Sequence, residues 1–174
     1  MDIRTILNSE LNIIGRDIKK ALVNELMNQK HIATGKLAAT TKHKVNVSNS
    51  EAEVRITSKA KYWSAIDKGT RPHSPPFDRI MQWIDDKGIA YANEAEKARI
   101  ATAIIRRIEI EGTPTKGSFA RTGATHRTDY INRAINPQKS KIKKRLQKAI
   151  GDNIKVQFTK TIKKANQDGW RIKV

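Results

Sequence analysis

A stripe of isoleucine and leucine along the start of the chain limits what it can fold into more than any other feature. Ile3, Leu7, Leu11, Ile14, Ile18, Leu22 and Leu26 recur at steps of three and four, which brings all seven to one side of an α-helix. Arg16, Lys19, Lys20 and Glu25 fall largely elsewhere. The spacing predicts one amphipathic helix from Asp2 to about Gln29, with Asp2 as N-cap and Gly15 as an interior residue that weakens it slightly. Helices in water owe most of their stability to a covered apolar face, so the rest of the chain must supply a surface for this stripe.

The pattern breaks at Ala33-Thr34-Gly35-Lys36-Leu37, where Thr34-Gly35 is suited to close a loop and cap a short turn. From Lys42 the period changes to two. Val45 and Val47 alternate with Lys44, Asn46 and Ser48, and after Ser48-Asn49-Ser50 the residues Ala52, Val54 and Ile56 alternate with Glu53, Arg55 and Thr57. That is a β-hairpin with one apolar face, and a hairpin needs a helix or a larger sheet to pack on. Tyr62, Trp63, Ala65 and Ile66 then lead into Gly69-Thr70-Arg71-Pro72-His73-Ser74-Pro75-Pro76. Its three prolines fix φ and predict a stiff, extended loop.

Ile80, Met81, Trp83 and Ile84 predict a helix over Phe77–Lys87, with Gly88 as its C′ residue. Asn93 is placed to cap a second helix, Glu94 to about Glu111, whose buried side is Ala98, Ala101, Ile104, Ile105 and Ile108. Residues 111–127 carry Gly112, Pro114, Gly117 and Gly123 and are expected as a loop insertion. A helical stretch from Asp129 is interrupted at Asn136-Pro137. Beyond it Ile142, Leu146, Ile150, Ile154, Phe158 and Ile162 favour a basic amphipathic helix, while the alternation at 154–158 fits a strand equally well; helix and strand both stand at 152–160. The expected organisation is one α+β domain over 1–137 and a basic extension over 138–174 packing on it.

Composition bears mainly on partners. The 174 residues carry a net charge of +18 with no cysteine. From Gln138 onward twelve Lys and Arg face only Asp152 and Asp168. Such a chain is drawn to polyanions, although a run of charge also serves as a plain solvated helix face. Disulfides and thiolate metal sites are excluded, and the lack of disulfides suits folding in a reducing cytoplasm. No apolar run approaches the roughly 20 residues of a membrane span, and Met1-Asp2-Ile3-Arg4 turns polar too early for a secretory signal.

Chemistry-bearing patterns are scarce. His31, His43, His73 and His126 show no metal-ligand spacing. Asp85-Asp86 and Glu109/Glu111 read as solvated acids, and residues 112–123 lack a phosphate-loop ending. The clustered carboxylates that a metal-dependent nuclease requires are not apparent. Neither a catalytic residue nor a cofactor is expected. Tyr62, Trp63, Phe77 and Trp83 are expected in the core, with base stacking in a basic groove as the other reading. Trp170, beside Arg171 and Lys173, has no core context and suits a partner contact.

The order of these features resembles the neck and tail-completion proteins of tailed phages, the group that includes minor tail protein Z and the head–tail joining families. The resemblance rests on Thr34-Gly35-Lys36-Leu37 after the first helix, the hairpin, Tyr62, the segment Ile66-Asp67-Lys68-Gly69-Thr70-Arg71-Pro72-His73, and Pro75-Pro76-Phe77 opening a helix. It covers roughly Met1 to Ile108. It implies an α+β fold with helices packed on one face of a small antiparallel sheet. It also implies a non-enzymatic structural role in the virion, as a head–tail connector or tail-completion subunit made in the host cytoplasm. The implied partners are further copies in a ring, portal or adaptor and tail-tube proteins, and genomic DNA in the channel, with no membrane. Gly69, Thr70, Arg71 and His73 are then the expected inter-subunit loop. Arg121, His126, Arg127 and Trp170 are the expected contacts to a neighbouring protein or DNA. The alternative reading is a basic nucleic-acid-binding protein.

Overall fold

In a computed structural model the described residues are 2–48 and 51–152, and they form an α+β fold. Helix α1 (Ile3–Asn28) is followed by the short α2 (Lys36–Thr40) and by strands β1 (Lys42–Val47) and β2 (Ala52–Thr57). Next come α3 (Trp63–Lys68), α4 (Phe77–Asp86), α5 (Glu94–Glu111), α6 (Lys116–Thr122) and α7 (Tyr130–Ile135). A 3₁₀ turn at Asn136–Gln138 leads into a helical stretch at 139–152. The two strands pair as one two-stranded sheet, closed by the Ser48 amide donating to the Glu51 carbonyl at 2.7 Å.

The chain divides into two compact units. Among the described residues one is built from 2–17, 43–48, 51–55 and 137–152, the other from Ile18–Lys42 and Ile56–Asn136. In the first unit Leu11 and Ile14 are buried. Gly15, expected merely to weaken α1, is there for a different reason. A Cβ on it would lie 2.6 Å from the His43 ring, so the helix surface is pared down to admit the imidazole. Arg145 pairs with Glu10, and Lys141 lies 3.9 Å from Asp17. The helix-or-strand question at 152–160 falls, past Asp152, outside the described residues, as does Trp170.

In the second unit the stripe of α1 is buried as its spacing requires. Leu22 and Leu26 form the core with Leu37, Ala60, Tyr130 and Ala134, and Ile18, Ile32, Ile56 and Ile66 pack around them. α4 packs on α5, where Ile84 and Ala101 are fully buried and Ile108 nearly so. The helix ends follow local chemistry. Asn93 Oδ1 accepts the Glu96 amide at 2.9 Å. Gly88 sits at φ +62° with its amide on the Asp85 carbonyl, while the Ile89 amide reaches the Ile84 carbonyl.

Two expectations are corrected here. The segment 111–127 is not simply a loop, because α6 occupies its middle. Hydroxyls there bond to the backbone instead of breaking the helix: Ser118 to the Thr115 carbonyl and Thr122 to the Ser118 carbonyl. Gly123, left-handed at φ +64°, ends it. The aromatic residues before and after the proline loop are not core. Tyr62, Trp63 and Phe77 are 43, 41 and 42% exposed, because aliphatic residues of α1 with Ala60 and Tyr130 already fill the interior.

Candidate functional site: a clamped loop and a cationic cluster

The expected inter-subunit loop is pinned by a partner 43 residues away in sequence. Gly69-Thr70 and Gly112-Thr113 meet as an antiparallel bridge. The Thr70 amide donates to the Thr113 carbonyl at 2.8 Å, and the Thr113 amide returns to the Thr70 carbonyl at 3.2 Å. The two hydroxyls also meet, at 2.9 Å. The arrangement is nearly symmetric. Gly69 (φ +76°) and Gly112 (φ +74°) both occupy backbone space that side chains resist. A Cβ on Gly69 would lie 2.3 Å from the Thr113 carbonyl oxygen, and one on Gly112 would lie 2.1 Å from that of Thr70. The two glycines let the strands close, and the cis Thr113–Pro114 bond follows directly.

Thr70 was expected to project toward a neighbouring subunit. It does not: its hydroxyl and both backbone groups are used inside the clamp. What the clamp presents is Arg71, Pro72 and His73, all exposed. His73 is steadied by its amide on the Ile108 carbonyl and by Nδ1 on the Arg71 carbonyl at 2.9 Å.

The expected contact residues separate. Arg121, in the last turn of α6, and His126 are exposed. Arg127 is a correction, being only 9% exposed. Its Nη1 donates to the Thr122 hydroxyl at 3.2 Å and, at 3.4 Å, to the Ser118 carbonyl, so it holds the end of α6. Among the described residues its buried Nε has no partner. Around it gather His31 and Lys87. His31 Nε2 lies 3.1 Å from both the Arg127 carbonyl and Gln29 Oε1; both are acceptors, so the proton sits on Nε2. The Gln29 amide donates to Glu25 and to the Thr128 carbonyl. Lys87 Nζ donates to the Lys30 and Ile32 carbonyls, both at 2.8 Å, just past the end of α1.

These groups disturb one another. Burial, then the Arg127 charge, pushes the His31 imidazole down from its ordinary 6.5 to about 4. Burial, then the charges of Arg127 and Arg121, lowers Lys87. Burial and Arg121 lower Arg127. Above pH 6.5 His31 is neutral whether folded or unfolded. As pH falls toward 4 the unfolded chain takes up a proton that the folded chain resists, so stability declines across that window. A plot of unfolding midpoint against pH from neutral to about 4 is expected to be flatter for His31→Gln than for the wild type.

No protein-family model, curated protein or solved structure matches the chain significantly. Its chemistry is therefore read from its own residues. Among the described residues no group of three or more His, Asp or Glu is placed to hold a metal ion. No helix among them is long and apolar enough to cross a membrane. Asp85, Asp86 and Glu111, three acids of the sequence reading, have structural partners. Asp85 takes Lys97 at 2.7 Å and the Tyr91 hydroxyl at 2.9 Å, bonds that hold its carboxyl below the usual range. Glu111 accepts from Arg107 and the Lys116 amide. Sequence reasoning missed both Thr113 and the burial of Arg127. The recurrence of Gly-Thr shortly before proline, at 69–72 and at 112–114, was the available signal for the clamp.

Proposed function

We propose that this chain is a structural subunit of a tailed-phage particle, a head–tail connector or tail-completion subunit that works through contacts with its neighbours in a ring. The observation that carries this reading is the clamped loop. Backbone and side-chain bonds fix Gly69 and Thr70, so Arg71, Pro72 and His73 are offered to a partner with little further ordering entropy to lose. The half-exposed Tyr62, Trp63 and Phe77, flanking the same segment in sequence, are residue types enriched at protein interfaces. The order of motifs that resembles the neck and tail-completion proteins supports the same role.

Arg71→Ala combined with His73→Ala is the direct test. Both side chains are exposed, so the far-ultraviolet spectrum and unfolding midpoint should stay close to wild type. The yield of infectious particles in complementation should fall about tenfold or more, the scale of losing interface anchors. Unchanged yield from a stable double variant contradicts the loop's role.

The net charge of +18 favours a second reading, a nucleic-acid-binding protein. That reading predicts DNA affinity that falls steeply and log-linearly with salt, and a large loss of it on truncation at Pro137. A structural subunit truncated there loses assembly instead.

A further inference from the structure

Beside Arg127 lies a cavity of about 560 Å³ within the second unit, a size typical of small-molecule sites. We propose that it binds a small organic anion, an apolar body carrying one carboxylate or phosphate group held by Arg121 and Arg127. Among the described residues four cationic side chains line it, Arg79, Lys87, Arg121 and Arg127, and no carboxylate does. Among the described residues none of the four has an acidic partner: Lys87 and Arg127 bond to carbonyls and a hydroxyl.

A buried guanidinium with an unpartnered Nε is unfavourable unless an acceptor reaches it. Two arginines that repel each other gain together when one anion bridges them. Burial first, then neighbouring positive charge, lowers Lys87 (through Arg127 and Arg121) and Arg127 (through Arg121), as expected where cations gather without a counter-charge.

The remaining walls decide what kind of anion. Ile80, Trp83, Ile89, Ile104 and Ile108 face the space, and a bare inorganic ion would leave them idle. A hydrocarbon or aromatic body uses both halves of the site. Duplex DNA fits poorly, because its phosphates need an extended cationic track, whereas these cations border a recess with isoleucine walls.

The test uses the full chain and displacement of the fluorescent anion anilinonaphthalene sulfonate. The competitors are octanoate, octyl phosphate, octanol and inorganic phosphate. Octanoate or octyl phosphate should displace the dye at concentrations about tenfold below octanol and inorganic phosphate, as one charge-assisted contact requires. Whichever of the two is the stronger identifies the head group. Arg121→Gln, an exposed position that leaves the fold intact, should weaken that displacement about tenfold on the same scale. Arg106→Gln, exposed on α5 and outside the cavity, should leave it unchanged.

Three results overturn the proposal. Octanol as potent as octanoate and octyl phosphate removes the role of charge. Equal weakening by Arg106→Gln and Arg121→Gln reduces the effect to net charge. An acidic peptide that displaces the dye where neither octyl anion does makes the recess a protein-docking surface instead.

Discussion

Gly112→Ala is expected to lower the unfolding free energy by about 3 kcal/mol, combining a strained backbone with overpacking. The new methyl would sit 2.1 Å from the Thr70 carbonyl oxygen and 2.9 Å from the Arg71 carbonyl carbon. Both obstacles are backbone, which cannot swing aside as a long side chain does. The left-handed φ of +74° adds a second penalty. Gly35→Ala separates the two effects. Gly35 has nearly the same φ, +73°, but nothing lies within 4 Å of its would-be Cβ, so it should cost only about 1 kcal/mol. Urea unfolding of the two variants checks this, and equal losses contradict the clamp. Because the clamp sets the loop, the proposed structural role predicts that Gly112→Ala also lowers particle yield at temperatures where the protein stays folded.

Asp67→Ala is expected to cost about 2 kcal/mol, the sum of a lost cap and an orphaned amide. Asp67 lies in the last turn of α3 but works for α7. Its buried carboxylate accepts the Ile131 amide at 3.0 Å, and its carbonyl accepts the Asp129 amide. The Asp129 residue is itself left-handed, at φ +60°, so this turn depends on being held from outside. Nearby Tyr130 is buried, and burial followed by the Asp67 charge pushes its hydroxyl up to about 12. Asp67→Asn keeps an acceptor and should cost less than half as much. Hydrogen exchange should show amides 130–135 opening first in Asp67→Ala. Uniform loss across the unit, with α7 no faster than α5, contradicts the role.

The elements legible in the sequence are those whose cause is local. The stripe of α1, the alternation of the hairpin, the Gly88 stop and the Asn93 cap each depend on residues within a turn or a strand of one another. The features that escaped depend on distant meetings. Nothing near Gly15 announces His43. Nothing near Thr70 names Thr113, although both Gly-Thr pairs are visible. Asp67 stood in a recognised motif, yet its partner is an amide 64 residues on.

Composition misled at 111–127, where Gly, Thr and Ser suggested a loop, but the Ser118 and Thr122 hydroxyls bond to backbone carbonyls at α6. Arg127 was expected to contact a neighbouring protein or DNA, whereas it is buried against α6. Of the expected loop, Arg71 and His73 remain free to meet a partner, while Gly69 and Thr70 hold them in position.

The measurement that bears most directly on the proposed role is immunogold electron microscopy of intact particles, with antibody raised against this chain. The structural reading predicts label concentrated at the junction of head and tail or along the tail. Particles without label, released from cells that contain the protein, would contradict it and turn attention to DNA.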